Sequence, residues 1–197
     1  MTTATSRQGR WRIVDIVVAA AVAVAFGAVF LAWNTAYAAT APAFAFLPPI
    51  QGIMYGIWLL PAVLIGLIVR RPGAALFGGL VSAAVSVLLG SPYGVDALVS
   101  GAIQGAGAEL GFAIALYRRW TLPVAILAGA LAGLFAVIHD VIVYFPDTGV
   151  EFWAVFAAAT IASGGIVAGL GAWLLLRALV GTGVLRDFAA GRDQREV

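Results

Sequence analysis

Residues 122–145 read LPVAILAGALAGLFAVIHDVIVYF, and this stretch decides what kind of protein the chain forms. Asp140 is its only acidic residue, and the pair Arg118 and Arg119 stands just before it. An α-helix needs about 20 predominantly apolar residues to cross the hydrocarbon core of a bilayer. The stretch therefore predicts a transmembrane helix that begins beside positive charge.

Five further stretches of the chain are predicted to cross the membrane as helices. They span roughly residues 13–33, 50–69, 74–89, 95–117 and 152–180, and the third of the six helices is short. The composition agrees, because 63% of the 197 residues are hydrophobic and only 10% are charged. A soluble domain is about one quarter charged. We therefore predict an all-α membrane protein, a bundle of six transmembrane helices.

The arginines indicate how this bundle lies in the membrane. In a six-helix bundle, all 11 basic residues lie on one side of the membrane. They occur in the two tails, close to the tails, or in every second connection between helices. They are Arg7, Arg10, Arg12, Arg70, Arg71, Arg118, Arg119, Arg177, Arg186, Arg192 and Arg195. Positive residues concentrate in cytoplasmic loops, so both termini are predicted to be cytoplasmic, in a multi-pass protein of the plasma membrane. The predicted parts are a tail of residues 1–12, a membrane domain of residues 13–180 and a tail of residues 181–197.

The residue types that the chain lacks exclude several classes of site. It has no cysteine and no lysine, which excludes disulfides, thiolate chemistry and lysine Schiff bases. Its single histidine excludes a multi-histidine metal site, and we expect neither a metal nor a cofactor. The phosphate-binding loop of ATPases requires a lysine and is therefore excluded too. A net charge of +2, spread over small groups of arginines, does not indicate a nucleic-acid partner.

Polar and aromatic side chains in the predicted helices are the candidate binding residues. They are Trp33, Asn34, Gln51, Tyr55, Trp58, Gln104, Glu109, His139, Asp140 and Tyr144. Polar groups inside a bilayer are costly, so each of them needs a partner or a ligand. Two structural explanations compete with ligand binding. Aromatic residues also form belts at membrane interfaces, and His139 and Asp140 would satisfy each other as a pair.

Small residues at four-residue spacing predict close helix packing. Such pairs let helix backbones approach each other in lipid, and they occur at Gly52/Gly56, Gly101/Gly105, Gly107/Gly111, Gly129/Gly133 and Gly165/Gly169. The first helix has Ala19, Ala23 and Gly27 in the same register, a stripe that suits either internal packing or docking of another membrane protein. The connection of residues 34–49 is uncharged and rich in Pro and Phe. It is expected to fold down as a lid or to lie in the interface.

Several motifs together resemble one family. They are Trp11-Arg12-Ile13-Val14-Asp15, Trp33-Asn34, Arg71-Pro72-Gly73-Ala74-Ala75-Leu76, Gly90-Ser91-Pro92-Tyr93-Gly94, Gln104-Gly105-x-Gly107-Ala108-Glu109 and Tyr117-Arg118-Arg119-Trp120. Over roughly residues 11–180 the chain resembles the YkoE-type S-components, the substrate-binding subunits of energy-coupling factor (ECF) transporters. The resemblance implies capture of thiamine from outside, a transmembrane scaffold subunit and two cytoplasmic ATPases as partners, and coupling through Ala19, Ala23 and Gly27. Tyr93 stands in one of the motifs and joins the candidate binding residues.

The candidate residues suit thiamine in different ways. We expect Trp33 and Trp58 to stack on its rings, since a cation over an aromatic face is stabilised. The amides of Asn34, Gln51 and Gln104 would bind the polar edge of the ligand, and Glu109 or Asp140 would balance its charge. Three alternatives stay open. The same fold would bind hydroxymethylpyrimidine (HMP) or another vitamin precursor, or the chain would be an intramembrane enzyme using Glu109, His139 or Asp140, or an assembly subunit.

Overall fold

The computed structural model describes residues 11–185 and 188–192, and this part of the chain is helical with no strand. The helices are α1 (Ile13–Thr40), α2 (Gly56–Val69), α3 (Ala74–Leu88), α4 (Asp96–Ile114), α5 (Leu122–Val143), α6 (Val150–Ser163), α7 (Gly171–Gly181) and the short α8 (Ala189–Arg192). Five helical stretches are long and apolar enough to cross a membrane. The 15-residue α3 is the short third helix that the sequence predicts, so the predicted helical membrane bundle is confirmed.

The first helix is longer than predicted. It continues from Trp33 to Thr40, through residues that the sequence analysis placed in a connecting loop. The physical reason is that residues 34–40 contain no proline or glycine, and the alanines among them favour a helix. Pro42 is the first residue that stops it, and two 3₁₀ helices, Ala41–Phe44 and Pro48–Met54, lead to α2.

Helix α2 forms the centre of the bundle. Twelve of its 14 residues are buried, and it contacts α1, α3, α4, α5 and α7. Leu59, Val63, Ile65 and Leu67 are completely inaccessible. A helix that is apolar all round belongs in the interior of a bundle, so the composition of α2 explains its position.

Glycines allow the outer helices to pack closely, as predicted. A Cβ atom on Gly107 would lie 2.6 Å from the carbonyl oxygen of Leu131 in α5, and one on Gly79 would lie 2.6 Å from that of Gly101 in α4. Gly165 is the exception among the predicted pairs, because the nearest atom to its Cβ would be 3.5 Å away.

The small-residue stripe of α1 faces inward. Ala19, Ala23 and Gly27 are all buried, and a Cβ atom on Gly27 would lie 2.5 Å from the Cβ of Val85 in α3. Internal packing is therefore the role that this structure supports for the stripe, and its use as a docking surface stays a prediction. The alanines that α1 exposes are Ala21, Ala25, Ala28, Ala32, Ala38 and Ala39.

The last membrane-spanning stretch is interrupted by a π-helix, Gly164–Leu170, between α6 and α7. Its inward stripe is spaced by four residues throughout and comprises Phe156, Thr160, Gly164, Ala168, Ala172 and Leu176, all of them buried. At 3.6 residues per turn, each step of four overshoots a full turn by about 40°. A π-helix turns less per residue, so this segment keeps the stripe facing the bundle.

Charge separates the two ends of the bundle. At the arginine end, the indole of Trp11 donates to the carbonyl of Pro72 at 3.0 Å, and the Arg70 guanidinium lies 5.8 Å from the Trp120 ring. The acidic end has Asp96 at the start of α4, Asp147 in the connection from α5 to α6, and Glu151 in the first turn of α6. This separation matches the predicted arrangement, and the cytoplasmic position of the arginine end stays a prediction.

The predicted tails fall largely outside the described residues. Arg7, Arg10, Arg186 and Arg195 are among the residues that the structure does not describe. Leu185 and Phe188, which are described, are buried against the bundle. Within the described part of the predicted tail, Leu185, Phe188 and Ala190 therefore pack on the membrane domain, whereas Val184 is exposed.

Candidate functional site

A cavity of about 350 Å³ opens near the acidic end of the bundle. Small-molecule sites typically measure about 300–1,000 Å³, so a two-ring ligand is of suitable size. Residues from α1 to α5 and their connections line it: Phe30, Asn34, Tyr37, Tyr55, Trp58, Gly79, Ala83, Ser86, Ser91, Tyr93, Asp96, Ala97, Ser100, Gly101, Gln104, Asp140, Tyr144 and Phe145. Of the connection of residues 34–49 that was predicted as a lid, Asn34 and Tyr37 line the cavity from α1, and residues 41–49 do not.

Five aromatic side chains form one continuous wall of the cavity, and we call Tyr37, Tyr55, Trp58, Tyr93 and Tyr144 the aromatic wall. The Trp58 ring lies 5.1 Å from that of Tyr37, 5.3 Å from that of Tyr55 and 6.4 Å from that of Tyr93. The rings of Tyr93 and Tyr144 are 6.3 Å apart. All these pairs meet edge to face, a favourable geometry for aromatic pairs. The wall thus provides aromatic surface held in place by its own contacts.

Asn34 fixes the orientation of Trp58. Its side-chain oxygen accepts a hydrogen bond from the Trp58 indole at 3.0 Å, and its side-chain nitrogen donates to the Ser91 hydroxyl at 3.4 Å. Asn34 is buried and lines the cavity. The residue therefore connects α1, α2 and the segment before α4 at the cavity wall.

Helix α4 presents a polar stripe to the cavity. Asp96, Ser100 and Gln104 follow one another at intervals of four residues, and the Gln104 amide donates to the Ser100 hydroxyl at 2.6 Å. Of these three residues, Gln104 alone was predicted from the sequence as a binding residue. Asp96 and Ser100 precede Gln104 at four-residue spacing, which places the three side chains on one helix face. This spacing could have identified them from the sequence.

Asp140 lies at the centre of a hydrogen-bond network. Its carboxylate accepts from the Tyr55 hydroxyl at 2.5 Å, and its other oxygen lies 2.7 Å from Nδ1 of His139. Nε2 of His139 is 3.3 Å from Oδ1 of Asp96. The other carboxylate oxygen of Asp96 accepts a hydrogen bond from the Tyr144 hydroxyl. The network joins α4, α5 and the segment before α2.

The ionisable side chains that line the cavity are acidic or phenolic. Asp96 and Asp140 line it, and no arginine does among the residues that the structure describes. Burial, and next the Asp96 carboxylate, raise the pKa of Tyr144 above its ordinary value, and burial followed by Asp140 does the same for the pKa of Tyr93. Both phenols therefore stay neutral donors, and Asp96 and Asp140 are the acidic groups that a ligand meets.

Seven of the eleven predicted binding residues line the cavity: Asn34, Tyr55, Trp58, Tyr93, Gln104, Asp140 and Tyr144. Trp33 does not, because neighbouring helical residues point about 100° apart, and its indole instead donates to the Met54 carbonyl at 3.0 Å. Gln51 donates to the Tyr37 carbonyl at 2.7 Å and so tethers the 3₁₀ segment to α1. His139 lies behind Asp140, outside the lining.

Glu109 lies at the opposite end of the bundle, which corrects its predicted place beside the ligand. Its carboxylate accepts hydrogen bonds from the backbone N–H groups of Gly73 at 2.7 Å and Ala75 at 2.8 Å, and from the Tyr117 hydroxyl at 2.8 Å. A carboxylate at a helix N-terminus satisfies free N–H groups and the helix dipole. Glu109 is therefore the partner of α3, and its depth in the membrane is explained without a ligand.

Metal binding has no support from side-chain clustering. Across residues 11–185 and 188–192, no group of three His, Cys, Asp or Glu side chains is arranged to hold a metal ion.

Comparisons with known proteins agree with one another. Residues 14–135 match the family described as "ABC-type cobalt transport system, permease component". The chain is 30% identical over 191 residues to the "Putative HMP/thiamine permease protein YkoE" of Bacillus subtilis (strain 168), covering 94% of this chain and 93% of that protein. A solved structure described as "Crystal structure of an S-component of ECF transporter" superposes with a TM-score of 0.90 at 30% identity, over 95% of this chain and 94% of the other.

Proposed function

This chain belongs to the YkoE-type S-components, the substrate-binding subunits of ECF transporters, and on that basis we propose that its cavity captures thiamine. Its relatives are transport subunits of the membrane and not enzymes. The intramembrane enzyme considered from the sequence is therefore set aside. What remains to be proposed is the ligand, the residues that bind it and the surface that meets the partners.

The observation that carries the proposal is an aromatic wall beside two carboxylates in one cavity. Thiamine combines an aminopyrimidine ring with a permanently cationic thiazolium ring. Aromatic faces stabilise such a cation by up to about 2 kcal/mol when water is excluded, and Asp96 and Asp140 supply the opposite charge. The same two carboxylates disfavour ligands that carry phosphate.

Six of the lining residues have a proposed role. Trp58, Tyr55 and Tyr93 offer ring surface for stacking. Stacking was predicted for both Trp33 and Trp58, and of these two Trp58 lines the cavity. The amides of Asn34 and Gln104 line the cavity and are proposed to bind the polar edge of the pyrimidine. Asp140 is the proposed counter-charge, since Glu109 is engaged at the other end of the bundle.

HMP is the second candidate ligand, because the B. subtilis relative carries both names. It has the pyrimidine of thiamine and lacks the cation, so the carboxylates would contribute less to its binding. A ligand-free assembly subunit is disfavoured by the size and built polar lining of the cavity.

Calorimetric titration of the purified full chain in detergent tests the proposal. We expect thiamine to bind at least tenfold more tightly than HMP, and thiamine monophosphate to bind more weakly than thiamine because its phosphate meets Asp96 and Asp140. Tighter binding of HMP than of thiamine would assign the cavity to HMP. If neither ligand bound to folded protein, the proposal would be wrong.

Transport also requires energy that this chain does not supply. The S-component family implies a membrane scaffold and ATPase partners, and we propose a single scaffold with two cytoplasmic ATPases. The exposed residues Ala21, Ala25 and Ala28 of α1 are the proposed contact for the scaffold, since small side chains allow close helix approach. The acidic end, with the cavity, is proposed to face outward.

A further inference from the structure

Ser86 brings to the cavity a hydroxyl group that the protein itself does not use. The residue lies near the end of α3, is 2% exposed and lines the cavity. No group in the described part of the chain forms a hydrogen bond with its hydroxyl. A buried hydroxyl without a partner costs free energy, so a free one at a cavity wall is available to a ligand.

Ser82 provides a comparison within the same helix. It lies four residues before Ser86, on the same face of α3, and is completely buried. Its hydroxyl also has no hydrogen-bond partner among the described residues. Ser86 lines the cavity and Ser82 does not. The two serines therefore differ in whether a ligand can reach the hydroxyl.

The other two serines of the lining are already engaged within the protein. The Ser91 hydroxyl accepts a hydrogen bond from the Asn34 amide at 3.4 Å, and the Ser100 hydroxyl accepts one from the Gln104 amide at 2.6 Å. Removing either hydroxyl would also disturb an amide of the site. The Ser86 hydroxyl has no such contact, so its removal changes what a ligand meets and leaves the internal hydrogen bonds intact.

Ser86 lies beside a group that is proposed to bind the pyrimidine. Its backbone carbonyl accepts a hydrogen bond from the Ser91 N–H at 3.0 Å, and Ser91 is the partner of Asn34. Helix α3 has no charged residue, whereas Asp96 and Asp140 belong to α4 and α5. We expect the cationic thiazolium next to the carboxylates. The neutral pyrimidine then takes the part of the cavity that α1 and α3 line.

Resting on the proposed capture of thiamine, we propose that Ser86 is a specificity residue whose hydroxyl binds an edge atom of the pyrimidine. The ring nitrogens and the amino group of a stacked pyrimidine lie in the plane of its ring. They therefore point at the side walls of the cavity and not at the aromatic side chain beneath. A hydroxyl both donates and accepts hydrogen bonds, so it suits either kind of atom. The ligand class that it selects is an aminopyrimidine, which thiamine and HMP share.

The first test compares Ser86→Ala with Ser82→Ala by calorimetric titration of the full chain in detergent. Ser86→Ala should weaken thiamine and HMP binding equally, by about threefold to tenfold, the range that one neutral hydrogen bond supplies. Ser82→Ala should leave both affinities unchanged. Unchanged affinities in folded Ser86→Ala would overturn the proposal, and a loss confined to thiamine would do so by placing Ser86 beside the thiazolium. Equal losses in the two variants would also overturn it, since both would then act through the packing of α3.

The second test removes the ligand's side of the contact. In the benzyl analogue of thiamine, a phenyl ring replaces the aminopyrimidine and the cationic ring is kept. Ser86→Ala should bind this analogue as tightly as the wild type does, because no hydrogen bond is left to lose. If the variant lost as much affinity for the analogue as for thiamine, Ser86 would not contact the edge of the pyrimidine, and the proposal would be wrong. If the analogue does not bind to the wild type, the comparison of thiamine with HMP decides.

The possible failures can be told apart. If the wild type binds thiamine or HMP and Ser86→Ala binds it equally well, the role of Ser86 fails and the proposed function stands. If the folded wild type binds neither ligand, the proposed function fails and the role of Ser86 fails with it. If Ser86→Ala does not fold, Ser86→Cys takes its place. A thiol fills nearly the same space and is a weaker donor, so both ligands should bind more weakly, and unchanged affinities would overturn the proposal.

Discussion

The hydroxyl of Tyr55 lies 2.5 Å from the carboxylate of Asp140. Tyr55 stands just before the central helix α2, and Asp140 lies near the end of α5. The contact at the cavity wall therefore joins two residues that are 85 positions apart in the sequence. The Tyr55 ring also contacts those of Trp58 and Tyr37. Because one residue joins the aromatic wall to the carboxylate, stacking of a ligand and the placement of its counter-charge are coupled.

Asp140→Asn should weaken thiamine binding by tenfold or more. The substitution keeps the shape and removes the negative charge, and a hydrogen bond to a charged group is worth about 1.5–3 kcal/mol. HMP, which is neutral, should lose much less. Titration of both ligands measures the ratio, with Glu109→Gln as the matched control because Glu109 lies at the far end of the bundle. An unchanged thiamine affinity in folded Asp140→Asn would argue against a charged ligand site.

Glu109→Gln should lower the stability of the protein while leaving ligand affinity unchanged. The carboxylate accepts hydrogen bonds from backbone N–H groups at the start of α3, and an amide replaces one acceptor oxygen by an N–H donor. We expect a loss of about 1.5–3 kcal/mol, the value of a hydrogen bond to a charged group. Thermal unfolding in detergent measures it. Tyr117→Phe removes only one of these bonds, so an equal or larger loss there would contradict the assigned role.

Stability at high pH should depend on Tyr117. Burial, together with the Glu109 carboxylate, raises the pKa of Tyr117 from 10.0 to about 12. The folded state then holds this proton more tightly than the unfolded state does. Its contribution is complete below pH 10 and is lost as the pH rises toward 12. Unfolding temperatures measured from pH 8 to pH 12 should fall less steeply in Tyr117→Phe, and identical profiles would contradict the raised pKa.

Two alanines of α1 should respond differently to the same substitution. Ala25 is exposed, so Ala25→Leu should abolish thiamine uptake in cells that contain the scaffold and ATPases, while purified protein still binds thiamine. Ala23 is buried against the bundle, so Ala23→Leu should reduce stability and binding together by overpacking. Normal uptake by Ala25→Leu would remove this face of α1 from the proposed interface.

Cysteine labelling checks the orientation of the bundle. The chain has no native cysteine, so Asp147→Cys and Thr182→Cys each provide one thiol at opposite ends, both at exposed positions. An impermeant maleimide applied to intact cells should label the first variant and spare the second. The reverse pattern would place the arginine end outside.

The membrane fold could be predicted from the sequence because its cause is local. Apolar stretches and the placement of arginines reveal helices and their ends without knowledge of packing. The end of α1 was missed because residues 34–40 are uncharged like the proline-rich residues that follow, although the first proline is Pro42. The inward direction of Ala23 was not predictable either, since it depends on which face of α1 meets α3.

The binding site was only partly predictable because polar residues in a membrane have two possible purposes. Asp140 and Glu109 look alike in the sequence as acids within apolar stretches. Their difference arises from the distant groups that they meet, namely Tyr55 for Asp140 and the start of α3 for Glu109. Spacing alone identified the helix faces, and it did not say which face encloses the cavity.

The π-helix makes the length of the chain between α6 and α7 part of the packing. An α-helix turns further per residue than a π-helix, so Gly164–Leu170 shortened by one residue and wound as an α-helix would cover nearly the same angle. Leu176 would then keep its place in the core. Wound as an α-helix at its present length, the segment would instead turn α7 by about 100° and take Leu176 out of the core. Homologues without the π-helix should therefore be one residue shorter between α6 and α7.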